Sequence, residues 1–167
     1  MKNEAKTEQR VGIVLISIIV LLLTIIVLAS VFYIRSNRPM AQAKAEATEI
    51  AEKYANIKTV DKFYWFTRKE TYFSILGKDD TNKEVAVIIP KSGDKVKVVN
   101  QKDGLSQNQA EQLVLSEQPK ESILKSSLGL YEKEPVWEIV TENSEGDLTY
   151  YLISFSDGKE VHVIKDV

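Results

Sequence analysis

Residues 11–34 form an uncharged run in which Ser17, Thr24, Ser30 and Tyr33 are the only side chains carrying a polar atom. Coiled as a helix at about 1.5 Å per residue, the run is about 36 Å long, enough to cross the roughly 30 Å hydrocarbon core of a bilayer with some tilt. It predicts one membrane span over 11–34, with a tail at 1–10 on one side and the rest of the chain on the other.

The details of the run fit an anchor. Ser and Thr can hydrogen-bond back to the preceding helical turn, so Ser17, Thr24 and Ser30 are tolerable in lipid. Phe32 and Tyr33 stand at the outgoing boundary, where aromatic rings favour the headgroup layer, and Arg10, Arg35 and Arg38 bracket the span. No charge inside it suggests an ion path or a proton relay. A cleaved signal peptide is the alternative, with Val27 and Ala29 at cleavage-compatible spacing. Its apolar core is usually about 7–15 residues, shorter than this run, which favours an uncleaved anchor. The chain has no cysteine, so a lipid anchor on a processed cysteine is excluded. Lys2, Lys6 and Arg10 before the span balance Arg35, Arg38 and Lys44 after it, so the positive-inside rule leaves orientation open. A short tail and a long C-terminal part fit an exported domain.

Beyond the span the charges are interspersed, and the chain's formal net charge is −2. That lacks the basic stripe phosphate-backbone binding needs, so nucleic acid is not an expected partner. Without cysteines no disulfide framework holds the fold, and the apolar core must do so.

Residues 41–55 read as a helix, with Ala43, Ala47, Ile50, Ala51 and Tyr54 in one stripe. Pro39 is expected to separate this helix from the span, since proline starts helices but fits poorly inside them. Strand-like runs follow at 60–67, 71–77, 84–89 and 96–99, punctuated by turn residues. After a polar connector at 100–105, Ser106 and Gln109 match a capping box opening a helix that carries Ala110, Leu113, Val114 and Glu117 and stops before Pro119. Strands are predicted at 135–141, 148–155 and 159–164, the last two joined by a tight hairpin at Asp157-Gly158.

A shift of 65 residues overlays the first half on the second. It sets Tyr72 on Trp137, Ile75 on Val140, Val85 and Val87 on Tyr150 and Leu152, Gly93 on Gly158, and Val96 and Val98 on Val161 and Val163. The match predicts a duplicated module, at 39–99 and 105–167, each a helix followed by an antiparallel sheet of three or four strands. The fold class is α+β.

The second half, with Leu105-Ser106 and Ala110-Glu111 opening a helix, then Val136-Trp137-Glu138-Ile139 and Ser156-Asp157-Gly158-Lys159-Glu160-Val161, resembles a PepSY domain. The whole chain resembles the TseB-like (YpmB-like) cell-wall elongation regulators of Gram-positive bacteria. The resemblance implies a cytoplasmic N-terminal tail, a single-pass anchor in the cell membrane and two tandem cystatin-like, PepSY-like modules outside, the first divergent. It also implies a regulator of peptidoglycan synthesis that binds a class B penicillin-binding protein of the elongation machinery. PepSY character suggests an alternative, restraint of a secreted or membrane protease.

The residues themselves supply little chemistry. A triad would have to use the single histidine, His162, whose strand phase sets it opposite Val161 and Val163, at a sheet surface or edge. One histidine and no cysteine leave zinc without its usual ligands, and Asp80-Thr81-Asn82 lacks the glycine and distal glutamate of a calcium loop. Acids crowd the turns at Asp79, Asp80, Glu132, Glu134, Glu142, Glu145 and Asp147. Paired carboxylates can hydrolyse glycosidic bonds, but only across a cleft of set separation, and solvated turns are the simpler reading. No phosphate loop or activated-serine motif occurs. The expectation is a non-enzymatic protein with no catalytic, cofactor or metal residues. In the aromatic cluster Phe63-Tyr64-Trp65-Phe66, alternation makes both strand faces apolar. One face is expected against the helix and the other against the sister module or a partner, and Tyr150-Tyr151-Leu152-Ile153 poses the same question.

Overall fold

The computed structural model describes residues 2–165, with the side chains at 2–11, 13, 14, 36 and 37 left aside. The chain divides into two compact units, Met1–Gln42 and Ala43–Val167.

Helix α1 spans Lys2–Ala55 and includes Pro39. The expected break at Pro39 is therefore absent. Proline removes one backbone donor and crowds the preceding turn, while the turns on either side keep their own hydrogen bonds. Within the first unit the apolar side chains from Leu15 to Ile34 are exposed, as a lipid-facing helix requires. Thr24 Oγ1 donates to the Val20 carbonyl and Ser30 Oγ to that of Ile26, both at 2.8 Å, so these hydroxyls are satisfied within the helix as expected.

In the second unit, α1 is followed by β1 (Ile57–Thr67), β2 (Thr71–Asp79), β3 (Glu84–Pro90) and β4 (Lys97–Asn100). A 3-10 turn at Gln101–Asp103 leads to α2 (Gln107–Glu117), then β5 (Ser122–Tyr131), β6 (Glu134–Glu142), β7 (Leu148–Ser154) and β8 (Glu160–Ile164). The strands make two antiparallel four-stranded meanders, ordered β1-β2-β3-β4 and β5-β6-β7-β8. Strand β5 is absent from the sequence reading. Its run Ser126-Ser127-Leu128-Gly129 lacks the bulky alternation that marks a strand, because neighbours supply the bulk: a Cβ at Gly129 would lie 2.2 Å from Phe66 Cγ.

The first sheet is apolar on both faces. Ile75, Val85, Val87 and Ile89 pack with Ala47 and Ala51 of α1. Tyr64, Phe66, Tyr72, Leu76, Ala86 and Ile88 join Leu128, Trp137, Ile139 and Phe155 in a second core shared by the two sheets. The aromatic cluster thus divides between helix and neighbouring sheet, as alternation implied. In α1 the stripe holds at Ala43, Ala47 and Ala51, but Tyr54 is exposed; in α2 Ala110 and Val114 are buried and Leu113 is exposed.

The two halves correspond, but not at one constant shift. Ala47 and Ala51 of α1 match the buried Ala110 and Val114, 63 positions on. In the hairpin turns the match is 64. Asp79 accepts from the Thr81 and Lys83 amides, as Asn143 does from those of Glu145 and Asp147, and Asn82 and Gly146 both have positive φ. In the last strands it is 65: Val98 lies opposite Val87, and Val163 opposite Tyr151. The second half holds extra residues between its first two and its last two strands. A one-residue slip turns a side chain to the other face of a sheet, so Ile75 corresponds to Ile139, not Val140, and Val87 to Tyr151, not Leu152.

The Asp157-Gly158 connection also differs from a two-residue hairpin. It is a longer loop, closed by the Ser154 amide on the Lys159 carbonyl, with Gly158 at φ +72°. Phe155 is buried and holds the loop down: its amide donates to the Pro135 carbonyl, and its own carbonyl accepts from Leu105.

Candidate functional site

The second core ends in a cleft of about 530 Å³ at the start of α2, where the two sheets meet. Its position follows from local chemistry. Ser106 Oγ accepts from the Gln109 amide and the Gln109 side chain accepts from the Ser106 amide, the expected capping box, which sets where α2 begins. Just before it, the Leu105 carbonyl accepts from Trp137 Nε1 at 2.8 Å, tying the helix entry to β6. The floor is apolar, with Leu76, Ala86, Leu105, Trp137 and Phe155, and the rim carries both charge signs, from Asp61, Lys62, Glu84 and Lys102.

One wall is a polar chain linking the sheets. Lys62 Nζ and Tyr64 OH both donate to Gln107 Oε1, at 2.8 and 2.7 Å. Gln107 Nε2 donates to Glu111 Oε1, which also accepts from Ser126 Oγ. Burial, and then the charge of Glu111, push the Tyr64 hydroxyl well above its ordinary pKa. Tyr64 also meets Trp137 edge to face, with ring centres 5.4 Å apart, inside the range that aromatic pairs favour.

A second polar link lies on the other side of β5. Arg68, in the β1–β2 turn, donates from Nε to Glu138 Oε2, and its guanidinium lies 4.4 Å from the Tyr150 ring centre. Glu138 keeps 4% of its side-chain surface exposed and accepts also from Ser127 Oγ. Arg68 Nη2 is buried without a hydrogen-bond partner among the described residues. The sequence reading gave Arg68 and Gln107 no role and used Glu111 and Glu138 only as part of the PepSY-like pattern. Glu138 alone was visible as an acid inside an apolar strand.

The residues singled out from the sequence scatter. His162 sits exposed on the edge strand β8, stacked on Tyr131 at 5.9 Å. Asp79 is held below the usual carboxylate range, chiefly by the Lys83 amide and then the Thr81 hydroxyl, inside its own turn. Glu132 and Glu134 flank the β5–β6 turn; Glu142, Glu145 and Asp147 flank the β6–β7 turn. Among the described residues no three His, Cys, Asp or Glu side chains gather where they could hold a metal ion. What the arrangement presents is apolar clefts with polar rims, beside sheets joined by the Tyr64–Gln107 and Arg68–Glu138 hydrogen bonds.

Residues 46–90 match the family model described as the cell wall elongation regulator TseB-like domain. Among solved structures, the YpmB protein from Bacillus subtilis aligns at 24% identity over 73% of this chain and 95% of its own, with a TM-score of 0.62, and shares the fold. A candidate lipoprotein from Clostridium difficile 630 aligns at 16% identity over 73% of this chain and 91% of its own, at a TM-score of 0.39. No curated protein matches the chain.

Proposed function

The chain carries a domain of the TseB-like family over residues 46–90, and from this premise we propose that it is a membrane-anchored, non-enzymatic regulator of cell-wall elongation. It acts by binding a class B penicillin-binding protein. The tail faces the cytoplasm, the helix over 11–34 stays in the membrane, and residues 39–99 and 105–167 act outside as two cystatin-like, PepSY-like modules that arose by duplication. The family match is the observation that carries the reading. The apolar helix and the polar-rimmed clefts support it. Confinement to the plane of the membrane raises the effective concentration of two anchored partners, so modest affinity suffices.

Cross-linking in intact cells, followed by recovery through a tag on this chain, tests the proposal. A class B penicillin-binding protein is expected among the cross-linked partners. Recovery without any cell-wall synthase overturns it, and so does release of soluble fragments from isolated walls by the purified protein.

A further inference from the structure

The α1 face of the first sheet is not covered to its end. Phe63, Trp65 and Phe73 stay half-buried on it. They touch one another: Phe63 stacks on Phe73 with ring centres 6.1 Å apart, and Trp65 meets Phe73 edge to face at 5.1 Å. Trp65 Nε1 donates to Thr67 Oγ1 at 3.1 Å, so the polar atom of the indole is satisfied at the exposed end of β1. The result is an aromatic ledge at one end of the sheet.

Chain connectivity says which end. Only Asn56, at φ 50°, separates α1 from β1, and α1 packs Ala47 and Ala51 back on the sheet, so helix and strand run in opposite directions. From Ala55 back to Ala43 the helix covers about 18 Å, and from Ile57 to Phe63 the strand covers about 20 Å. Phe63 therefore stands level with Ala43, where α1 enters this unit, and Trp65 and Phe73 lie at that end or just past it. Ala43 follows Ile34, the last residue of the apolar run, by nine positions. Even at full stretch nine residues hold it within about 32 Å of the bilayer. The opposite end of the sheet carries the polar β2–β3 turn Asp80-Thr81-Asn82-Lys83. Turns beside the ledge hold both charge signs, Lys69, Lys91 and Lys95 with Glu70 and Asp94, so the rings and not charge select the occupant. Aromatic rings favour the headgroup layer, and a surface tethered this close meets lipid at high effective concentration.

We propose that this aromatic ledge is a lipid-contact surface, with Trp65 and Phe73 set into the headgroup layer of the bilayer that holds the anchor. The inference rests on reading residues 11–34 as a membrane span. The full chain is reconstituted in nanodiscs of phosphatidylcholine and in nanodiscs of the same lipid brominated near the headgroup end of its acyl chains, where bromine quenches an indole that it touches. The protein has two tryptophans, and Trp137, 1% exposed and bonded to the Leu105 carbonyl, is shielded. Brominated lipid is expected to remove about a quarter or more of the parent's tryptophan emission. It should leave the Trp65→Phe variant, which emits from Trp137 alone, unchanged. Equal parent emission in the two lipids overturns the ledge. Equal quenching of parent and variant also overturns it, because the effect then belongs to Trp137. A chain that enters the discs without being quenched leaves the membrane span standing, whereas a chain that fails to enter them overturns span and ledge together.

Discussion

Arg68 in the first hairpin turn donates through Nε to Glu138 in a central strand of the second sheet, an ion pair between residues 70 positions apart in the chain. Both charges are largely withdrawn from water, so each depends on the other. Removing one partner from a buried pair costs about 3–5 kcal/mol, whereas replacing both with apolar residues of like volume is often neutral. Arg68→Ala and Glu138→Ala are each expected to destabilise by that amount in urea unfolding. Arg68→Met combined with Glu138→Leu should recover most of the loss. A loss in the double variant equal to the sum of the two single losses would show that the pair does not act as a unit.

Gly129 leaves room for the ring of Phe66, which sits where a Cβ would be. Gly129→Ala forces the ring or the strand to move, an overpacking cost of roughly 1–3 kcal/mol. Phe66→Leu in the Gly129→Ala background should restore part of it. A double-mutant cycle on thermal or urea unfolding reads the coupling, and additive effects would argue against the contact.

The β5–β6 hairpin turns on Glu132-Lys133, both with positive φ, where Asn-Gly is the sequence that such a turn favours. Glu132→Asn with Lys133→Gly is expected to stabilise the protein by about 0.5–2 kcal/mol, as turn optimisation commonly does.

Three tyrosines hold their protons late. Burial raises Tyr72 and Tyr151 to about 12, helped by Glu70 and Glu121 respectively, and it raises Tyr64 further. In the unfolded chain they ionise near 10. Their contribution to stability is therefore complete below about pH 10 and is lost as pH rises from 10 towards 12, because only the unfolded state releases protons in that window. Absorbance at the tyrosinate band should show these three of the seven tyrosines titrating with unfolding. Tyr64→Phe should make the loss of stability shallower.

Acid acts through Asp157, lowered to about 2 first by the Lys159 ammonium and then by Ser154. Its stabilising effect is present above about pH 4 and fades as pH falls towards 2. Thermal melts of Asp157→Asn should depend less on pH across that interval.

Much was legible in the chain itself. The apolar run, the capping box at Ser106 and Gln109, the stripe Ala43-Ala47-Ala51 and seven of the eight strands follow from local chemistry and periodicity, because short-range rules act on neighbouring residues. What neighbours in the sequence cannot express was decided by packing. Strand β5 looks weak because Phe66 supplies its bulk, and the register between the halves slips by one residue at loops that periodicity does not count. Pro39 stays inside a helix whose flanking turns outlast one lost hydrogen bond. The polar links across the candidate site belong to this second class: Tyr64 meets Gln107, and Arg68 meets Glu138. The physical reason is that a polar side chain looks the same in sequence whether water or a distant partner satisfies it, and only the folded chain brings that partner within 3 Å or so.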